Sequence, residues 1–209
     1  MNAEARSSPQ ARVRLLAAAA LVALLAACGG GGSDAESNAT AASPASAASS
    51  PNGGGPGPTA TGTGTCNLEG FAAGVLARVN PYRAAGANCG SRGSFAPAPG
   101  LKWNLALTQA ADAHSRDMVA NNFFSHTGAT GSSAGQRITA AGYSWNSYGE
   151  NIAAGQTSIN EVIDGWMASD GHCANIMNAA FVDIGVVCVP GTPSTAYRTY
   201  WTMELGKSR

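Results

Sequence analysis

Between residues 29 and 65 the chain offers no aromatic and no large aliphatic side chain, only Gly, Ser, Ala, Thr, Pro and Asn, with Asp34 and Glu36 as its sole charges. Such a stretch has nothing with which to offset the entropy of ordering it, so it cannot build a core and reads as a disordered linker. As a flexible coil it holds its ends about 30–35 Å apart, from roughly 5–6 Å times the square root of its length. Whatever folds must therefore lie after it, in residues 66–209, which is long enough for one domain with its own core.

Upstream, Arg6, Arg12 and Arg14 precede an uninterrupted apolar run over residues 15–27. A helix needs about 20 apolar residues to cross the hydrocarbon core, so this shorter run reads as a signal peptide over 1–27 rather than a membrane span. The run ends Leu25-Ala26-Ala27-Cys28, small residues before a Cys, which resembles the lipobox of bacterial lipoproteins. The expectation is cleavage before Cys28, diacylglycerol on its thiol, and a membrane anchor joined to the domain by the linker over 28–65. The alternative is ordinary cleavage with a free thiol at Cys28. With Cys28 set aside, the other four of the five cysteines can pair. An exported chain meets an oxidising compartment, so Cys66, Cys89, Cys173 and Cys188 read as disulfides rather than metal ligands. Nearness along the chain suggests Cys66–Cys89 and Cys173–Cys188, loops worth about 3 kcal/mol each, although four cysteines allow three connectivities.

Charged side chains make up 11% of the chain and the net charge is zero, against about a quarter charged in an average domain. No basic footprint for nucleic acid or an anionic membrane surface is present.

Within the domain, Leu68, Phe71, Val75 and Val79 recur at helical spacing and predict a helix over 68–80, ended by Pro81. A second helix over 105–121 places Leu107, Ala111, His114 and Met118 on one face. A loop over 128–135, a short helix over 136–141, and strand and turn over 143–154 follow. Ser158 and Glu161 have capping-box spacing ahead of Ile159, Val162, Ile163, Trp166 and Met167, an amphipathic helix stopped at Asp170-Gly171, with His172 at the mouth of a turn over 173–177. Two strands, 182–189 and 197–205, close the chain. Helices placed before and among strands predict an α+β fold.

The stretch Gly149-Glu150-Asn151-Ile152-Ala153 sets a Glu among small and apolar residues, an inward-pointing carboxylate, with the chain's three histidines, His114, His126 and His172, on both sides of it. Phe123, Phe124, Tyr143, Trp145 and Tyr148 are the aromatics expected to form the surrounding cleft. Ser115 and Ser125 each adjoin a His, but neighbouring side chains diverge and cannot make a nucleophile–base pair; there is no Gly-x-Ser-x-Gly elbow and no His-Glu-x-x-His helix.

Residues 76–84, His114-Ser115-x-x-Met118, Phe124-Ser125-His126, Gly149-Glu150-Asn151-Ile152-Ala153, Trp166 and Gly171-His172 through Met177 resemble the bacterial branch of the CAP superfamily (cysteine-rich secretory, antigen 5, pathogenesis-related; SCP-like). The resemblance spans 75–206 and implies a single α-β-α sandwich around a central antiparallel sheet. It also implies a cleft carrying two His and two acids that sometimes holds zinc or another divalent cation. By motif, His126 and His172 are the histidines and metal-ligand candidates, and Glu150 is one acid and the candidate catalytic base. The second acid, expected three residues after Trp166, is replaced by Ser169, with Asp170 adjacent and His114 a substitute. The function this implies is an exported, lipid-anchored binding module for an extracellular or cell-envelope ligand such as a lipid. The alternative is a zinc-dependent hydrolase.

Overall fold

The computed structural model describes residues 64–209. The signal peptide, the lipobox at Cys28 and the linker up to residue 63 lie outside the described residues. The elements run α1 (Phe71–Ala85), β1 (Ala87–Asn88), a 3₁₀ turn (Gly90–Arg92), β2 (Ser94–Phe95), β3 (Lys102–Trp103), α2 (Leu105–Ala120), α3 (Ala134–Ala140), β4 (Trp145–Ala154), α4 (Ile159–Met167), α5 (Asp170–Met177), β5 (Asp183–Pro190) and β6 (Thr199–Ser208). β1 and β2 form a two-stranded ribbon, and the main sheet has the order β3-β5-β6-β4, antiparallel except for the β3–β5 pair.

The alternation of β6 assigns the layers. Trp201, Met203 and Leu205 enter the larger core with Phe71, Val75, Val79, Val162, Ile163, Trp166 and Ile176, beneath α1, α4 and α5. Tyr200, Thr202 and Glu204 turn to the other face, where α2 lies across β5 and β6. Helix α2 comes close enough that a Cβ at Gly185 would strike the Leu107–Thr108 backbone, so this strand position takes only glycine. Both faces of the sheet are covered, giving the α-β-α sandwich.

β4 is an edge strand, and an uncovered edge is a template for unwanted pairing. Here α4 and α5 supply the missing partners: Trp166 Nε1–H donates to the Ile152 carbonyl at 3.1 Å and Asn175 Nδ2–H to the Glu150 carbonyl at 3.2 Å. Gly149 packs tightly at this seam: a Cβ there would meet the Phe181 ring at 3.0 Å, so a side chain requires the ring to shift by a few tenths of an ångström.

Four sequence expectations change. Helix α1 passes through Pro81 and ends at Ala85, because Arg83 extends the 71-75-79 stripe and anchors the last turn with buried hydrogen bonds. The stop after α4 is a break at Ser169, after which Asp170 starts a new helix that carries His172. The segment over 143–154 contains one continuous ten-residue strand, β4. The disulfides are Cys66–Cys188 and Cys89–Cys173, with Cα separations of 5.3 and 5.5 Å, and not Cys66–Cys89 and Cys173–Cys188.

The reason for that pairing is backbone placement. Gly64 and Cys66 exchange hydrogen bonds with Cys188 on β5, whereas Cys89 sits in the tight turn that faces α5, where the Asp170 carboxylate also accepts from Ser91 N–H and Oγ–H. The bonded cysteines are 122 and 84 residues apart, so each closes a loop worth about 4–5 kcal/mol on the chain-entropy model rather than about 3. The second bridge staples α5, and His172 with it, to the loop after α1.

Candidate functional site

Glu150 stands on β4 directly opposite Glu204 of β6, on the face toward α2. Its side chain is 4% exposed, and a carboxylate that dry must be compensated. His126 Nδ1–H donates to Oε1 at 2.7 Å and Arg137 Nη2–H to Oε2 at 2.5 Å. Arg137, 7% exposed, comes from α3 and also donates to the carbonyls of Ser132 and His126. The arginine thus fixes the loop that carries His126 as well as the acid that carries its ring. A capping box between Ser133 and Gln136 starts α3 and sets where Arg137 points.

Because an ionised carboxylate can only accept, the proton of neutral His126 is on Nδ1 and the lone pair on Nε2. The ring is 56% exposed, so that lone pair is available to the solvent side. His172, in the first turn of α5, approaches the same edge of β4 from the opposite face of the sheet, its carbonyl accepting from Asn151 Nδ2–H at 3.1 Å. Burial, and next the charge on His126, lower the His172 pKa. The lowered pKa favours the neutral form of the His172 imidazole.

His114 lies behind them. It is fully buried, and its Nε2–H donates to the Ser125 carbonyl at 2.9 Å while standing 3.9 Å from Glu150 Oε2. Burial lowers its pKa. It braces the loop leading to His126 and presents nothing to a ligand. Asp170 is turned away to Ser91, so it is not the second acid of the cleft.

A second buried acid is supplied by β6 instead. Glu204 is fully buried, and neither carboxyl oxygen meets an N–H or O–H donor among the described residues; the group within hydrogen-bonding reach is the Glu150 carboxyl. Two unit charges about 4 Å apart repel by about 4 kcal/mol at an effective dielectric of about 20, so the pair holds a proton rather than two charges. Burial, then the charge of Glu150, drive the Glu204 pKa well above the carboxylate range. For Glu150, burial pushes the pKa up, but the hydrogen bonds from His126 and Glu204 and the charges of Arg137 and His114 outweigh it and leave it lowered.

These opposed shifts set a pH dependence. Glu150 contributes stability that is present above its unfolded pKa, near 4.3, and lost as pH falls through its lowered folded value. Glu204 contributes stability that is complete below that unfolded pKa and lost as pH rises toward its raised folded value. Glu204→Gln abolishes only the second loss. The expected result is that the melting temperature of the variant gains on that of the parent as pH is raised from about 5 to about 8; parallel curves across that window overturn it.

Beside His172 a groove of about 350 Å³ runs along α4, lined by Phe124, Ile152, Val162, Trp166, Ser169 and Tyr197 among others. Phe124 and Tyr197 are exposed and meet edge to face at 5.8 Å. The expected aromatic cleft is divided: Phe124 rims this groove, Phe123 packs against the cluster of Met118, Ile152 and Tyr200, Trp145 and Tyr148 pair on the far side of α3, and Tyr143 is buried and donates to Asp183.

A divalent cation, implied by the sequence resemblance, would find two imidazoles here and no third ligand. Glu150 is already engaged by Arg137, His126 and Glu204, and no group of three or more His, Cys, Asp or Glu side chains among the described residues is placed to hold a metal ion. Catalytic zinc takes three protein ligands, so these residues do not fit one. With Arg137 and His126 both donating to it and its pKa lowered, Glu150 is also a weak base, suited to orienting His126 rather than to accepting a proton.

Arg137 and Glu204 are the site residues that motif reading misses. Arg137 lies in a short helix whose periodicity is weak. Glu204 alternates with Thr202 and Tyr200 as though on a wetted face, and only the packing of α2 shows that this face is dry.

The model of the CAP family, described as the cysteine-rich secretory protein family, matches residues 76–205. The uncharacterized protein YkwD of Bacillus subtilis (strain 168) is 42% identical over 86 residues, 41% of this chain and 34% of that protein. The uncharacterized membrane protein YlbC of the same organism is 31% identical over 86 residues, 41% of this chain and 25% of that protein. The aligned stretch thus spans about a third or less of these relatives. Among solved structures, an extracellular protein containing a SCP domain from Bacillus anthracis str. Ames is 31% identical with a TM-score of 0.47, covering 53% of this chain and 35% of that one.

Proposed function

The chain belongs to the cysteine-rich secretory protein family, and from that premise we propose that it is an exported binding module, anchored through lipid on Cys28, whose cleft takes an amphiphilic extracellular ligand such as a lipid. Export is supported by the two disulfides, which persist in oxidising compartments. The observation that carries the ligand reading is the groove of about 350 Å³ opening beside His172, at the small end of the 300–1,000 Å³ typical of ligand sites. Its walls are mostly apolar and carry no Asp, Glu, Lys or Arg, with Gln156, Ser169 and the His172 imidazole as their polar groups. A polar head hydrogen-bonds the His172 imidazole while the apolar part lies along Phe124, Ile152, Val162 and Tyr197.

The test is titration of a fluorescent phospholipid analogue into the full chain. Saturable binding without turnover is expected. Phe124→Ser/Tyr197→Ser weakens it by about tenfold or more, the equivalent of about 1.4 kcal/mol, whereas Trp145→Ser, beyond α3, leaves it unchanged. Equal affinity in all three proteins, or turnover of the probe, would overturn the reading.

A further inference from the structure

We propose that Glu204, carried as the neutral acid, is a positioning residue: it is the third hydrogen-bond donor to Glu150 and so sets how firmly Glu150 holds the His126 ring. The inference rests on proton inventory in a closed space and does not depend on what the cleft binds.

Glu204 has no outlet. Across β6 it faces Glu150 on one side and Gly185 on the other, and the Leu107–Thr108 backbone of α2 lies over Gly185 where a side chain would be. Both of its oxygens are out of contact with solvent and with every N–H and O–H donor among the described residues. As an anion it would have no donor at all and would face a second anion. As the neutral acid it has one hydrogen to give, and the Glu150 carboxylate is the acceptor within reach. Glu150 then accepts from Arg137, His126 and Glu204. A carboxylate that divides its charge among three donors binds each of them less strongly than one that serves two. Glu204 therefore moderates the Glu150–His126 bond from a fully buried position on β6.

Two spectroscopic readings on the full chain test this. At neutral pH the infrared spectrum shows the C=O stretch of a protonated carboxyl, lost in Glu204→Gln. The Nδ1–H proton of His126 in the NMR spectrum keeps its position in Glu204→Gln, whose amide still donates to Glu150. It moves downfield in Glu204→Leu, where Glu150 retains two donors and pulls harder on the imidazole. A residue that merely filled space would give the same His126 signal in all three proteins. Absence of the protonated-carboxyl band from the parent, or an equal shift in the Gln and Leu variants, overturns the proposal. Should the Leu variant fail to fold, the infrared band and its loss in the Gln variant decide the matter alone.

Discussion

Glu150→Ala is expected to cost about 3–5 kcal/mol of folding stability, the range for removing one partner of a buried ion pair. The cost lies in what remains. Arg137 keeps its charge in a site where it is 7% exposed, with the two carbonyls of Ser132 and His126 and no anion. His126 loses the acceptor for Nδ1–H, and Glu204 loses the carboxylate to which it donates. In urea the midpoint falls while the slope stays constant, because the area exposed on unfolding hardly changes. The companion variant Glu150→Leu/Arg137→Met removes both charges together and recovers the part of the loss due to the unpaired guanidinium, while His126 and Glu204 still lack their acceptor. A single variant within about 1 kcal/mol of the parent would mean that water reaches the pair and screens it.

The fold is legible in the sequence wherever one face of an element is apolar and the other polar. Helices α2 and α4 fall where Leu107, Ala111, Met118 and Val162, Ile163, Trp166 place them, and each has its cap, Asn104 and Ser158. Legibility fails where a long-range contact overrides a local signal. Pro81 reads as a stop, yet the turn after it is held by Arg83 through contacts about 16 to 98 residues away. The disulfides follow from which strand lies beside which, and nearness in sequence says nothing about that. β3 is two residues long and pairs in parallel with β5, too short for any pattern to register.

The site divides in the same way. Glu150, His126 and His172 stand out because a charged or titratable group lies among Gly, Ala and aromatic residues. Arg137 and Glu204 do not, because their meaning depends on the α2 layer above the sheet. His114 stands out for the wrong reason, since its place on an apolar stripe marks it as a bracing residue. Ser169 lacks the acid that the sequence resemblance implies at this place in the cleft. An acid arrives from a strand on the other side of Glu150, and the local arrangement differs accordingly: Glu204 faces Glu150 and not the open groove.

Arg83→Ala is expected to cost at least about 4 kcal/mol and to loosen α5. Arg83 is fully buried and faces no carboxylate; it is held by main-chain carbonyls. Nε–H donates to Pro99 at 2.8 Å, Nη1–H to Ile176 at 2.6 Å and Asn178 at 3.0 Å, and Nη2–H to Phe181 at 3.0 Å. Ile176 lies in the last turn of α5, where the helix dipole favours a cation. Burial lowers the Arg83 pKa, though not enough to discharge a guanidinium. Bonds to a charged donor are worth about 1.5–3 kcal/mol each and are not additive, and each carbonyl left unpaired in a dry site costs about 1–3 kcal/mol. Arg83→Lys keeps the charge but offers one nitrogen where the fork uses three, so it should recover less than half of the loss. The effect reaches the cleft because α5 carries His172 at its start and Ile176 near its end. Hydrogen exchange should therefore show faster opening in α5 for Arg83→Lys while α2 stays protected. Uniform acceleration across the domain would instead make Arg83 a global anchor, with no particular hold on the helix that presents His172.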